Sequence, residues 1–258
     1  TVITSSDQYN ELINEVTKNK GSTSFKFREK MSLEAFSETA YYDAVISNYL
    51  NKTKKNDFPK KKIVYGNLIE KLRYGENSHQ HAALYSKTKN LNINQIHGKQ
   101  LSYNNYNDIF SALTISKSLP NKLGTVIVKH ANPCGVSIDK DNLKSYQLAL
   151  ACDPISAFGG IVSCNFKVNK TLAMELNNIF LEVVIANGFD LEALKVLKKK
   201  KNLRLIDAKN FVMKNLMRFN SDNESILTQS EDIKKFNIKN FKVVSKKKPS
   251  KSQLKNLI

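Results

Sequence analysis

The chain has 258 residues, 41% of them apolar, which is enough for a real core and leaves room for one large domain or two small ones. No run approaches the roughly 18 consecutive apolar residues of a membrane span. Its three scattered cysteines, Cys134, Cys152 and Cys164, suit a reducing compartment and not a disulfide framework. The opening run Thr1-Val2-Ile3-Thr4-Ser5 lacks the basic and apolar regions of a secretory signal, so none is expected.

The formal charge is +18, but among the 41 basic residues only Arg28, Arg73, Arg204 and Arg218 are arginine. Arginine is the side chain suited to planar recognition of phosphates and bases. Lysine and asparagine instead occur throughout, and the runs Lys198 to Lys201 and Lys246 to Lys248 read as solvated surface. Weak, salt-dependent adhesion to polyanions follows from the charge; a nucleic-acid-binding module is the alternative reading it keeps open.

Val2-Ile3 reads as a strand stub. Ser6-Asp7 can cap a helix with Tyr9, Leu12, Ile13 and Val16 on one face. A loop over 18–24 precedes a second helix, expected from Ser32, where Ser-Leu-Glu-Ala offers a cap with an acid in the first turn. Residues 51–62, charged and broken by Pro59, read as a linker. Leu68, Ile69 and Leu72 predict a short helix. Next comes Leu72-Arg73-Tyr74-Gly75-Glu76-Asn77-Ser78-His79-Gln80, unusually dense in hydrogen-bonding groups for a connector. Arg73 is suited to hold an anion and Tyr74 to pack on a flat ring, against the plain reading of a surface turn. The Asn-rich turn Leu101 to Asp108 precedes a helix carrying Ile109, Phe110, Leu113 and Ile115; it serves as a cap or presents its amides to a ligand.

Val126-Ile127-Val128 then reads as a buried strand ending in Lys129-His130, followed by a loop over Asn132-Pro133-Cys134-Gly135. Open α/β sheets commonly build active sites from such strand ends; the plain alternative is a polar cap. A helix is expected over 142–151. The turn Asp153 to Gly160 ends in paired glycines, which admit close backbone approach and also mark ordinary turns. A helix over 171–180, a strand over 181–186, a helix over 191–200 and a strand over 203–206 complete an α/β layered pattern. Glu182, an acid in an apolar strand, needs a partner or a ligand. Residues 241–244 read as a strand. Ser250 and Gln253 form a reciprocal cap for a final helix that stops soon after it starts, so both chain ends are expected to be cut from a longer protein.

The motifs Leu72 to Gln80, Ser102-Tyr103-Asn104-Asn105, Val128 to Gly135 and Asp153 to Gly160, in that order, resemble those of the bifunctional purine-biosynthesis proteins that join AICAR transformylase to IMP cyclohydrolase. The likeness extends over the chain, including Arg28, Ala35-Phe36 and Thr39 to Asp43; Ser78 departs from it, standing where the family usually has proline. The resemblance implies that 1–50 is the tail of the cyclohydrolase domain, 51–62 a linker, and 63–258 the first part of the transformylase domain. That part would be a cytidine-deaminase-like layered α/β subdomain. It further implies formyl transfer from 10-formyltetrahydrofolate to the 5-amino group of AICAR, in a cytoplasmic homodimer with neither metal, membrane nor specific nucleic acid. The ring-closing residues would precede Thr1, and much of the folate site would follow Ile258. By the same resemblance His130 is the proton acceptor and Lys129 assists the transition state. Arg73, Tyr74, Asn105, Gly159 and Glu182 contact the nucleotide.

The chemistry suits those residue types. An amine conjugated with its ring is a poor nucleophile and needs a base as it attacks, a task for neutral imidazole near pH 7. An ammonium can stabilise the tetrahedral oxyanion or protonate the departing nitrogen. A zinc site could draw on His130, Cys134 and Cys152 or Cys164, though the ligand spacing is missing, and the lack of a Cys-x-x-Cys pair speaks against a zinc deaminase.

Overall fold

The computed structural model describes residues 1–88, 90–213, 217–222, 224–230, 232 and 241–257. The chain divides into two units, Thr1–Phe211 and Val212–Ile258. No helix among the described residues is long and apolar enough to cross a membrane.

The first unit opens with a 3-10 turn capped by Ser5, leading into α1 (Tyr9–Lys18) and α2 (Phe25–Thr53). Val2-Ile3 forms no strand, and Tyr9 and Ile13 are exposed instead of covering a core. The second helix begins ahead of the expected Ser32: the Ser24 hydroxyl caps it by accepting from the Phe27 amide at 3.2 Å. Phe27 and Met31, one turn apart on the same face, are both buried and carry the helix through the earlier segment. Tyr41 accepts from Asn67 Nδ2 at 2.8 Å, joining α2 to the strand that follows.

The remaining elements of this unit are β1 (Asn67–Leu72), β2 (Ala82–Ser86), β3 (Asn94–His97), α3 (Tyr103–Ser118), β4 (Gly124–Lys129), β5 (Asn132–Ile138), α4 (Asn142–Cys152), β6 (Ile161–Cys164), α5 (Lys170–Leu176), β7 (Val183–Ala186), α6 (Leu191–Leu197) and β8 (Arg204–Asp207). Leu68, Ile69 and Leu72 therefore lie on a strand and not on the expected short helix. So brief an apolar set fits either period, and antiparallel pairing with β2, with a bulge between Leu68 and Glu70, decides it.

Among the described residues β3-β8-β7-β6-β4-β5 form a six-stranded sheet. The trio β6, β7 and β8 is parallel, while β3, β4 and β5 run antiparallel to their neighbours. Strand alternation divides the core by face. Ile127, Val162, Val184 and Leu205 meet Tyr146 and Ala149 of α4, Leu172 and Leu176 of α5, and Ala193 and Leu197 of α6. Val126, Val128, Ile161, Val183, Ile185 and Ile206 meet Ile109, Ala112 and Leu113 of α3 on the other face, with Leu72 from β1. The result is a layered α/β fold, and each fully buried Leu or Ile contributes about 1.5–3 kcal/mol of transfer free energy.

Asn132 to Gly135, expected as a loop, is a strand. Pro133 is tolerated because β5 lies at the sheet edge, and Cys134 is the extra residue of a bulge between the Ile127–Gly135 and Val128–Pro133 pairs. Gly135 is required there: a Cβ would stand 1.9 Å from the Ala149 carbonyl oxygen of α4.

In the second unit β9 (Arg218–Asp222) and β10 (Ser225–Gln229) form an antiparallel hairpin. The unit ends in α7 (Lys251–Leu257), where Ser250 and Gln253 cap each other as expected. Residues 241–244, expected as a strand, form none among the described residues, and Val244 is 90% exposed.

Candidate active site

A cleft of about 600 Å³ opens where β4 ends, and Tyr74, Asn105, Asp108, Lys129, His130, Phe158, Gly159, Glu182 and Arg204 line it. Because β4 is antiparallel to β6, its carboxyl end meets the amino ends of the parallel trio: Val128 pairs with Ile161, which lies level with Val183, itself paired with Arg204. Open parallel sheets ordinarily bind ligands at their carboxyl edge. Here the antiparallel strand brings Lys129 and His130 to the opposite edge.

His130 and Ala131 are the two-residue turn of the β4–β5 hairpin, with φ of +52° and +58°. Such turns require left-handed backbone at both positions and favour Asn-Gly. For two side-chain-bearing residues this conformation costs on the order of 1 kcal/mol each. The turn is held from α3: Asp108 Oδ1 accepts from the Ala131 amide at 2.6 Å, and Ser111 Oγ donates to the Ala131 carbonyl at 2.7 Å. Burial raises the Asp108 carboxyl above the usual range, while the Ala131 amide and the adjacent His130 pull it back. Lys129 Nζ donates to the Phe158 carbonyl at 2.8 Å.

Around the cleft, Asn105 does two things. Its Oδ1 completes the α3 cap by accepting from the Ser102 amide, and its Nδ2 donates to Glu182 Oε2 at 2.8 Å. Arg204 Nη1 lies 3.6 Å from the same oxygen. Glu182 thus has the partners its setting demands, and no protein bond to its Oε1 forms among the described residues. It sits just ahead of β7, not within it. Burial pulls the Arg204 guanidinium down and Glu182 opposes that pull. Gly159 adopts φ +75°, the left-handed region a glycine favours, with its amide donating to the Phe180 carbonyl at 2.8 Å. The Phe158 and Phe180 rings, 5.4 Å apart, form an apolar wall.

The 72–80 loop spends much of its polar density on itself. Gln80 donates its amide to Asn77, and its Oε1 accepts from the Asn77 amide at 2.7 Å. Tyr74 lines the cleft, but Arg73 does not: its guanidinium stands 5.6 Å over the Tyr74 ring, and its charge repels that of Arg204.

Lys200, expected as solvated surface, closes the end of α5 by donating to the Asn177 and Ile179 carbonyls at 2.7 and 3.0 Å. No three His, Cys, Asp or Glu side chains among the described residues are arranged to hold a metal ion, so the zinc set is not assembled. Cys164 lies in the core, where burial pushes its thiol up to about 12.

A family model described as AICARFT/IMPCHase bienzyme matches residues 1–258. The chain belongs to the AICARFT/IMPCHase bienzyme family. Proteins named bifunctional purine biosynthesis protein PurH are similar to it: one from Persephonella marina is 41% identical, one from Clostridium kluyveri 40% and one from Lactobacillus acidophilus 38%, each match taking in all of this chain. The chain spans about half the length of these curated relatives, 51%, 51% and 52% respectively.

For this AICARFT/IMPCHase chain the cleft brings together six of the seven expected site residues, all but Arg73. Among the wall residues that were not expected, Asp108 and Arg204 each left a trace in the sequence. Asp108 stands three residues after Asn105, on the same helical face. Arg204 is an arginine at a strand start in a chain whose basic residues are nearly all lysine.

Proposed function

We propose that this chain forms the nucleotide-binding and proton-accepting part of an AICAR formyltransferase. In this reading the 5-amino group of AICAR attacks the formyl carbon of 10-formyltetrahydrofolate. His130 accepts the proton that the amine loses. Lys129 stabilises the tetrahedral oxyanion or gives a proton to N10 of the folate as the C–N bond breaks. Tyr74 and the Gly159 turn bind the nucleotide, with Arg73 beside them. Asn105 orients Glu182, whose Oε1 accepts from a hydroxyl of the substrate. Residues 63–258 belong to the transformylase domain, as a cytidine-deaminase-like subdomain, and 51–62 link it to a cyclohydrolase tail over 1–50. The working protein is a cytoplasmic homodimer.

One observation carries the reading: a basic side chain and a histidine at a strained turn share one cleft with a carboxylate, one oxygen of which is uncommitted among the described residues. Family membership supports it. The test is formyl transfer from 10-formyltetrahydrofolate to AICAR, measured on the protein as its source cell makes it. Turnover is expected, and His130→Ala should lower kcat by about 1,000-fold while AICAR still binds. Full turnover by that variant overturns the assignment of the base.

A further inference from the structure

We propose that Asp108 is a positioning residue for His130, and that the first turns of α3 set the register of the whole site. The inference rests on the reading of His130 as the base. In a two-residue hairpin the amide of the second turn residue makes no ladder bond, so Ala131 needs no partner from the protein. It has two: Asp108 takes its amide at 2.6 Å and Ser111 takes its carbonyl at 2.7 Å. These side chains stand three residues apart on one helix, so they grip both polar groups of one peptide residue from one face. The residue they grip is the one after His130, in a turn whose left-handed backbone neither side chain favours.

The same helix also fixes the acid across the cleft. Asn105, one turn before Asp108, is locked into the Ser102 cap and holds Glu182. The base therefore stands just past β4 and the acid just ahead of β7, and α3 bonds to the backbone beside the first and to the side chain of the second. A helix packed by Ile109, Ala112 and Leu113 against the sheet is a rigid ruler between them. Asp108 acts on the backbone beside His130, so what it sets is where the imidazole stands.

The test uses Asp108→Ala, Asp108→Asn and Ser111→Ala in the protein as its source cell makes it. It reads kcat, the AICAR KM and hydrogen exchange of the peptide containing Ala131. Asp108→Ala should lower kcat about thirtyfold, with KM changed by no more than about threefold, because misplacement of a reacting group is felt in the transition state. The 130–132 amides should exchange faster in that variant. Asp108→Asn retains an acceptor oxygen, so it should stay within about fivefold of the parent kcat and keep the protection. Ser111→Ala should lose about threefold. Unchanged kcat in Asp108→Ala overturns the proposal, as does a fall in kcat with unchanged exchange. If Asp108→Ala does not fold, the Asn and Ser111 variants carry the same comparison. A parent protein that transfers no formyl group would sink the reading of His130, while faster exchange in Asp108→Ala would still report the grip on the turn.

Discussion

The two edges of the central sheet are built on opposite plans. At the carboxyl edge of the parallel trio, polar side chains are consumed by the backbone. Asn165 accepts from the Gly124 amide at 2.9 Å and donates to the Ser116 and Pro120 carbonyls at 3.0 Å. Asn187 donates to the Asn165 carbonyl at 2.7 Å and accepts from Lys117 at 2.7 Å. At the amino edge, His130 makes no side-chain bond among the described residues, and one oxygen of Glu182 remains uncommitted. One edge is satisfied and the other is left with bonding capacity. Polar residues alone do not mark a site; polar residues with capacity to spare do.

Substitutions at the two edges should therefore separate function from stability. The largest effect is expected for Lys129→Ala, about 100-fold or more in kcat for formyl transfer with an unchanged urea midpoint, since the group is half-exposed and, in the proposed reaction, its removal would take away a charge at the developing oxyanion. Asn165→Ala should do the reverse. It orphans a buried amide and two carbonyls and should cost about 2–3 kcal/mol in urea unfolding, with kcat of the folded protein retained. Arg204→Lys keeps the charge but loses the planar donor set, and should raise the AICAR KM about tenfold with a small change in stability. The smallest effect concerns the thiols. Iodoacetamide should label exposed Cys152 in the native protein and leave Cys164 unmodified until unfolding, because the thiolate is the reactive form and burial holds that thiol near 12. Rapid native labelling of Cys164 would break the picture of a closed core.

The strongly patterned parts of this plan were readable from the sequence. Val126-Ile127-Val128, Ile161-Val162 and the strand after Glu182 are too apolar to be anything but sheet core, and each lies there. The capping signal at Ser250 was explicit, whereas the Asn-rich turn before α3 left a cap and a ligand contact both open, and Ser102 with Asn105 forms the cap. What escaped were features decided by a partner distant in sequence. Leu68 to Leu72 took its conformation from β2, and Pro133 misdirected the reading because only an edge position allows a proline inside a strand. The direction of β4 relative to β6, which moved the cleft to the unexpected edge, lies in no local pattern. Arg73 illustrates the same gap at the site. Its residue type suited an anion, yet its guanidinium lies over the Tyr74 ring and outside the wall.

The β4–β5 hairpin also has a meaning in time. Its strands are joined by two residues, so Lys129 meets Asn132 with almost no loop to close, whereas Gln95 of β3 must wait for Ile206 of β8. During synthesis the turn bearing His130 is available to form long before Glu182 and Arg204 exist, and β3 stays an open edge until nearly the whole sheet has emerged. Pulse-labelled exchange during refolding should protect Val136 amides ahead of those of Ile206. The turn that carries the proposed base would then take shape before the strands that complete the cleft.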